Sequence, residues 1–303
     1  MNDVRKYDLN LINKDLTDIG YEISKFPDGQ QTIDLFDNKR STQAFSYTMG
    51  SGYNASKNNL PVYIKIRLKS FQDLEILIAA TKILQSNKIT NIILQSSYLI
   101  GARSDRRFNT GGVHYLKEVI SPIINSLNFT RVDILDPHSD VVEACINNLH
   151  KISPIPKIKK ALTVIDNKNN AETRIALVSP DAGASKKIFD VAKNFQIPKI
   201  ISANKVRDIK TGKIIKTEVL ATWETYEGLS NLLVVDDICD GGRTFIELAK
   251  AIRETGYEFR LHLFVSHGIF SKGVEPLLEH YDTVHTTDSY SDDLRNIDRV
   301  FVH

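Results

Sequence analysis

Cysteine is nearly absent: Cys145 and Cys239 are the only two in 303 residues, and neither belongs to a Cys-x-x-Cys pair. That excludes a disulfide scaffold and a thiolate zinc site, and leaves two reduced thiols expected in a core. Long apolar runs are missing too. The longest, at 231–235 and 261–265, have strand length and fall far short of the roughly 20 residues a membrane helix needs. Residues 1–10 are charged and hold no apolar signal core, so a cytoplasmic location and no membrane partner are expected. Charge of one sign is lacking as well. Lys and Arg number 39 against 37 for Asp and Glu, a net +2, so no global basic field points to nucleic acid. Any phosphate chemistry must come from local sites.

What is present is alternation. Apolar runs of strand length at 91–95, 131–135, 174–178, 232–235 and 261–265 are each continuous rather than alternating, as in strands of a parallel sheet buried on both faces. Helical periodicity predicts helices over 71–84, 113–127, 184–195, 244–254 and 272–281. Strand–helix alternation of this kind predicts α/β domains with right-handed crossovers. The first stretch differs, with short strands expected at 7–11, 21–25, 31–36 and 62–68. Polar stretches at 41–60 and 166–173 read as exposed segments. Two prolines within 149–157 place the link between domains there, giving domains of 1–150 and 151–303. Acidic, polar loop segments follow strands in both halves, a weak internal echo that suggests a duplicated unit.

The most specific chemical string is LLVVDDICDGGRT at 232–244, followed by an amphipathic helical segment. An apolar strand leads into Asp236 and Asp237, then into Asp240, Gly241, Gly242, Arg243 and Thr244. Ligands of open parallel sheets sit at the carboxyl ends of strands, and a helix N-terminus presents N–H groups and a positive dipole end to phosphate. Glycines let the backbone approach, Thr244 adds a hydroxyl, and paired carboxylates suit ribose hydroxyls or magnesium through water. The plainer alternative makes Asp240 a simple helix N-cap and the glycines a tight turn. No Gly-x-x-x-x-Gly-Lys string occurs, which disfavours a P-loop ATPase.

The 236–244 string resembles the ribose-phosphate loop of the type I phosphoribosyltransferase fold. Further segments lie along the chain in order: FPDGQ at 26–30, ARSDR at 102–106, LDPHS at 135–139, VSPDAGASKK at 178–187, NKVRD at 204–208 and VSHG at 265–268. Together they resemble the phosphoribosyl-pyrophosphate synthetase (ribose-phosphate diphosphokinase) family from about residue 21 to about residue 287. The resemblance implies two tandem phosphoribosyltransferase-like α/β domains, each a mainly parallel sheet flanked by helices. It implies ATP on the N-terminal domain, with Phe26 stacking on adenine, Asp28 and Gln30 at its edge and Gly29 between them, and with Arg103 supplying charge for the nucleotide, Ser104 and Asp105 beside it. It implies magnesium, with His138 and Asp181 as ligands, and ribose phosphate on Asp236, Asp237 and the 240–244 loop. Lys205 and Arg207 would be catalytic, closing over the phosphates. A homo-oligomer is implied as well.

Three departures from the family pattern stand out. Gln30 replaces a glutamate, Pro137 replaces a leucine, and the loop usually written Asp-Thr-Ala-Gly-Thr reads Asp-Gly-Gly-Arg-Thr here. Arg243 adds a bidentate phosphate ligand beside the loop. The expected reaction is therefore diphosphate transfer from ATP to ribose 5-phosphate. The same chemistry on ADP-ribose is one alternative, and a non-catalytic regulatory relative is another.

Overall fold

The computed structural model describes residues 6–37, 60–167, 174–207 and 214–303. The polar stretches 41–59 and 168–173 lie outside the described residues. The chain divides into two compact units, Met1–Ile152 and Ser153–His303.

In the first unit, β1 (Tyr7–Asn10), β4 (Val62–Leu68), β5 (Ile92–Leu99), β6 (Arg131–Leu135) and β7 (Leu149–Ile152) form one sheet in that order, all neighbours parallel. β2 (Ile19–Lys25) and β3 (Gln31–Asp37) pair separately as an antiparallel hairpin. The helices are α1 (Phe71–Ser86), α2 (Ser121–Ser126) and the short α3 (Val141–Cys145). β4 buries Val62, Ile64, Ile66 and Leu68 in one core shared with Leu74, Leu77 and Leu84 of α1 and Ile124 of α2. The strand's period of two sends Tyr63, Lys65 and Arg67 to the other face. There, Lys65 Nζ lies 2.6 Å from Asp8, and Arg131 grips Asp133 through two bonds of 2.7 and 2.9 Å. His150 Nδ1 meets the same Asp133 carboxylate at 2.9 Å.

The second unit begins with α4 (Ile155–Asn167). Its strands β8 (Ile175–Ser179), β9 (Ile200–Arg207), β10 (Ile214–Leu220), β11 (Asn231–Cys239), β12 (Arg260–Gly268), β13 (Thr283–Thr286) and β14 (Val300–Val302) form a sheet ordered β10-β9-β8-β11-β12-β13-β14. Only the β9–β10 pair is antiparallel. Its other helices are α5 (Ser185–Phe195), α6 (Trp223–Tyr226), α7 (Arg243–Arg253) and α8 (Glu275–Leu278). The continuous apolar runs are two-faced. Leu232 and Val234 pack with Phe245, Leu248 and Ile252 of α7, while Leu233 and Val235 pack with Ile158 and Ile165 of α4 and Ile188 of α5.

Several expected elements change. Over 113–127 the helix starts only at Leu116, with a π turn over Leu116–Ile120 before α2. Pro122 carries no N–H, and the Ser121 N–H reaches back five residues to Leu116 O instead of four. The stretch 149–157, expected to link the domains, holds β7 and the start of α4, and the division between the units after Ile152 falls within it. Pro154 and Pro156 sit at the start of α4, where missing N–H groups are harmless, and the Pro154 carbonyl accepts from Lys157 and Ile158. The helix expected at 272–281 shrinks to Glu275–Leu278, because Gly273, at φ 77°, closes a turn first. β5 and β11 run four residues past their apolar runs, to Leu99 and Cys239.

Candidate functional site

In the second unit, the sites named from sequence collect at the carboxyl edge of the parallel strands. Asp181 comes just after β8, Asp236 and Asp237 lie in the second half of β11, and the 240–244 loop joins β11 to α7. Burial pushes the Asp236 carboxyl well above its ordinary range, and the neighbouring Asp237 charge adds to this, while Lys187 opposes it. Asp236 Oδ1 also accepts the Asp237 backbone N–H at 2.9 Å. A repelling carboxylate pair of this kind is relieved by a cation or by donating hydroxyls.

The loop is not a simple side-chain cap. The N-cap of α7 is Gly242, at φ 77°, which has no side chain with which to cap the first turn. By contrast α1 is closed by a reciprocal capping box between Ser70 and Asp73, and Asp181 Oδ1 caps the 182–184 turn by accepting from Ala184 N at 3.1 Å. A helix that starts on a glycine in place of a capping side chain is the arrangement that binds phosphate. Asp240 points elsewhere: its Oδ1 accepts from Ser271 Oγ at 2.6 Å. Arg243 opens α7, is exposed, and makes no ion pair with a described residue. Lys205 and Arg207 stand on β9, next to β8 in the sheet; their side chains lie outside the described residues.

In the first unit, Phe26–Gln30 form the tip of the β2–β3 hairpin. Phe26 N donates to Gln30 O at 2.8 Å, Gly29 takes φ 98°, and Asp28 Oδ1 accepts from Gln30 N at 3.1 Å. The Phe26 ring is 52% exposed, which suits stacking on a planar ligand. Arg103, Ser104 and Asp105 come after β5 on a turn made by Gly101, at φ 78°. His138 comes after β6 in an exposed turn begun by Asp136, buried at φ 37°. Neighbouring Arg106 and Arg107 are held locally, the first over the Phe108 ring and the second by Glu118.

A cavity of about 280 Å³ is lined by Ile23 and Gln31 of the hairpin and by Ile66, Arg67 and Lys69 at the end of β4. Nothing in the sequence singles out Arg67 and Lys69, because two basic residues beside a strand end look like ordinary solvated charge. A larger cavity, about 540 Å³, is lined by Arg174, Lys199 and Leu229. It lies where β8, β9 and β11 begin, the edge of the sheet opposite the 240–244 loop, and so away from the chemistry.

Magnesium was expected on His138 and Asp181. Among the described residues no group of three His, Cys, Asp or Glu side chains converges as a metal cage. Magnesium keeps several waters and takes one or two carboxylates plus substrate phosphates, so Asp181 or the Asp236–Asp237 pair fits it without a cage. No helix among the described residues is long and apolar enough to cross a membrane.

No family profile matches the chain. It is similar to curated relatives of one name. The ribose-phosphate pyrophosphokinase of Mycoplasmopsis pulmonis is 26% identical over 250 residues, 82% of this chain and 70% of that protein. That of Neisseria meningitidis serogroup A is 26% identical over 302 residues, 98% of this chain and 82% of that protein. The crystal structure of phosphoribosylpyrophosphate synthetase from Mycobacterium smegmatis superposes with a TM-score of 0.73 at 16% identity, over 96% of this chain and 87% of that one. The structural likeness shows the fold: two phosphoribosyltransferase-like α/β domains. The chain is thus similar, along most of its length, to transferases that bear the single name ribose-phosphate pyrophosphokinase, and it shares the fold of a phosphoribosylpyrophosphate synthetase.

Proposed function

We propose that the protein moves the β,γ-diphosphate of ATP onto the anomeric hydroxyl of ribose 5-phosphate, releasing AMP. The observation that carries this is the α7 N-terminus. It starts on a glycine that carries no capping side chain, it comes after two adjacent carboxylates, and it stands at the carboxyl edge of the sheet. In this reading the 5-phosphate rests on the N–H groups of Gly241 to Thr244, and Asp236 and Asp237 take the ribose hydroxyls. ATP rests on the first unit, with its base against Phe26 and its phosphates near Arg103. The anomeric oxygen attacks the β-phosphorus, the bond from that phosphorus to the α–β bridging oxygen breaks, and AMP leaves with that oxygen. The hydroxyl proton passes to solvent. Magnesium, taken up on His138 in the first unit or on Asp181 in the second, would neutralise phosphate charge. Lys205 and Arg207 would stabilise the transferring group.

A second reading has the same chemistry acting on ADP-ribose. Arg243 favours it, as an exposed guanidinium without an ion-pair partner among the described residues, directly after the two loop glycines. The test is to incubate protein, magnesium and ATP with ribose 5-phosphate or with ADP-ribose and to monitor nucleotide release. AMP should appear with one of them, and ADP in its place would sink the proposal. The reading also implies a cytoplasmic homo-oligomer, checked by light scattering at assay concentration.

A further inference from the structure

The segment after β12 is built against the 240–244 loop. β11 and β12 end in register, Cys239 beside Gly268. The chain then hooks back, and the N–H groups of Ile269 and Phe270 both donate to Cys239 O, at 2.9 and 3.2 Å. Phe270 is buried with φ 44°, a conformation a non-glycine residue keeps only when its surroundings impose it. Gly268 is part of that imposition, since a methyl there would meet the Phe270 ring at 2.2 Å. The turn closes through Gly273, at φ 77°, whose N–H donates to Phe270 O at 2.8 Å. Ser271 Oγ ties it to Asp240 Oδ1, and Val274 and Leu277 anchor the start of α8 in the core.

This fixed turn carries Lys272 across the loop. A methyl built on Gly241 would meet Lys272 Cδ and Cε at 3.8 Å and Ser271 Oγ at 3.9 Å. The lysine stem therefore lies beside the glycine whose N–H belongs to the proposed phosphate cradle, one methyl's width away. Lys272 is exposed and makes no ion pair with a described residue. The geometry thus sets one such cation, Lys272, over the start of the loop and another, Arg243, at the start of α7.

We propose that Lys272 is a specificity-determining residue for the sugar substrate, its ammonium meeting a phosphate oxygen of the ribose 5-substituent. The inference rests on the reading of the 240–244 loop as the sugar-phosphate site. The shared chemistry is a phosphate oxygen, of a monoester in ribose 5-phosphate or of a diphosphate in ADP-ribose. The experiment compares Lys272→Met and Lys272→Arg with the parent protein, on ATP and on each sugar. Lys272→Met should raise KM for the accepted sugar about five- to tenfold, with kcat and the KM for ATP within about twofold. Lys272→Arg should recover most of the loss. The gap between the methionine variant and the parent should narrow as salt rises from about 0.05 to about 0.5 M, which a purely structural role would not do. An unchanged sugar KM, or an equal loss for ATP, overturns the proposal. Should the parent protein use neither sugar, the proposed function itself falls. Lys272 is then judged by calorimetric titration of inorganic pyrophosphate into the full chain. Weaker binding in Lys272→Met supports a phosphate contact, and equal binding refutes it.

Discussion

Asp133 shows how much a single residue type conceals. In sequence it interrupts an apolar run; in the structure its carboxylate is 3% exposed and takes both Arg131 and His150. A buried carboxylate without its partners is costly, so the pair should matter for folding. Arg131→Ala should destabilise the protein by about 1–2 kcal/mol, less than a fully buried pair because the guanidinium is itself 43% exposed. A change in urea midpoint too small to resolve would show that the pair adds nothing. Cys239 makes a second residue-scale case. Burial first, then the Asp236 and Asp240 charges, push its thiol up to about 12. At mildly alkaline pH iodoacetamide should modify Cys145 in the native protein and reach Cys239 only after unfolding, as mass spectrometry would read. Arg67, Lys69 and Lys272 are silent in the sequence for the same reason Asp133 is hard to read: a lone charge carries no sign of its neighbours.

Elements were more legible than their ends. The strands and the α1, α5 and α7 helices fall close to where apolar periodicity puts them, because burying a stripe or a run is a local instruction. Ends depend on backbone detail, such as a proline N–H that is missing at Pro122 or a glycine turn at Gly273 that stops a helix from starting. The two loop glycines divide on that detail. Gly242 needs its φ of 77°, and an added methyl would also press on Leu277 at 3.3 Å; Gly241 has neither constraint. Gly242→Ala should cost about 1–2 kcal/mol of stability. Gly241→Ala should stay within about 0.5 kcal/mol of the parent and yet raise the sugar KM, because the methyl enters the space beside Lys272. Equal thermal shifts for the two variants would contradict this division. β9 supplies the test of the catalytic assignment. Lys205→Ala should lower kcat on the order of 100-fold while leaving the KM for ATP close to normal, as expected for a contact made in the transition state. Near-normal turnover would return Lys205 to the solvated surface.

Across the second unit a polar chain crosses three strands, β11, β12 and β13, and ends on the residue after β14. Asn231 Nδ2 goes to Ser230 Oγ, so its Oδ1 accepts from His262 Nε2 at 3.1 Å. His262 Nδ1 then accepts from Thr283 Oγ1 at 2.7 Å, which accepts from His285 Nε2 at 2.8 Å. His285 Nδ1 accepts in turn from His303 Nε2 at 3.0 Å. These assignments give His262 and His285 one donating and one accepting ring nitrogen each. Burial, then Lys160 and Lys157 of α4, hold His303 down to about 4. The unfolded chain binds this proton near pH 6.5, while the folded chain resists it until about pH 4. The stabilisation is therefore complete above the higher value and is lost as pH falls through that window. Urea midpoints of the parent should drop between neutral pH and pH 4.5 or so, and His303→Asn should show a shallower drop. Parallel slopes would remove His303 from the account.

By itself the sequence determined the α/β class, the two-faced second sheet and the strand–loop–helix string that holds Asp236 to Thr244. Each of these is written as local periodicity or as residues adjacent in the chain. Only the tertiary structure decided that Asp240 bonds to Ser271, that α7 starts on Gly242 at a positive φ, and that Lys272 crosses beside Gly241. Those facts depend on β12 ending beside β11, a register set by the burial of whole strands. Contacts between residues some thirty positions apart are fixed by that packing and leave no pattern in the order of the letters.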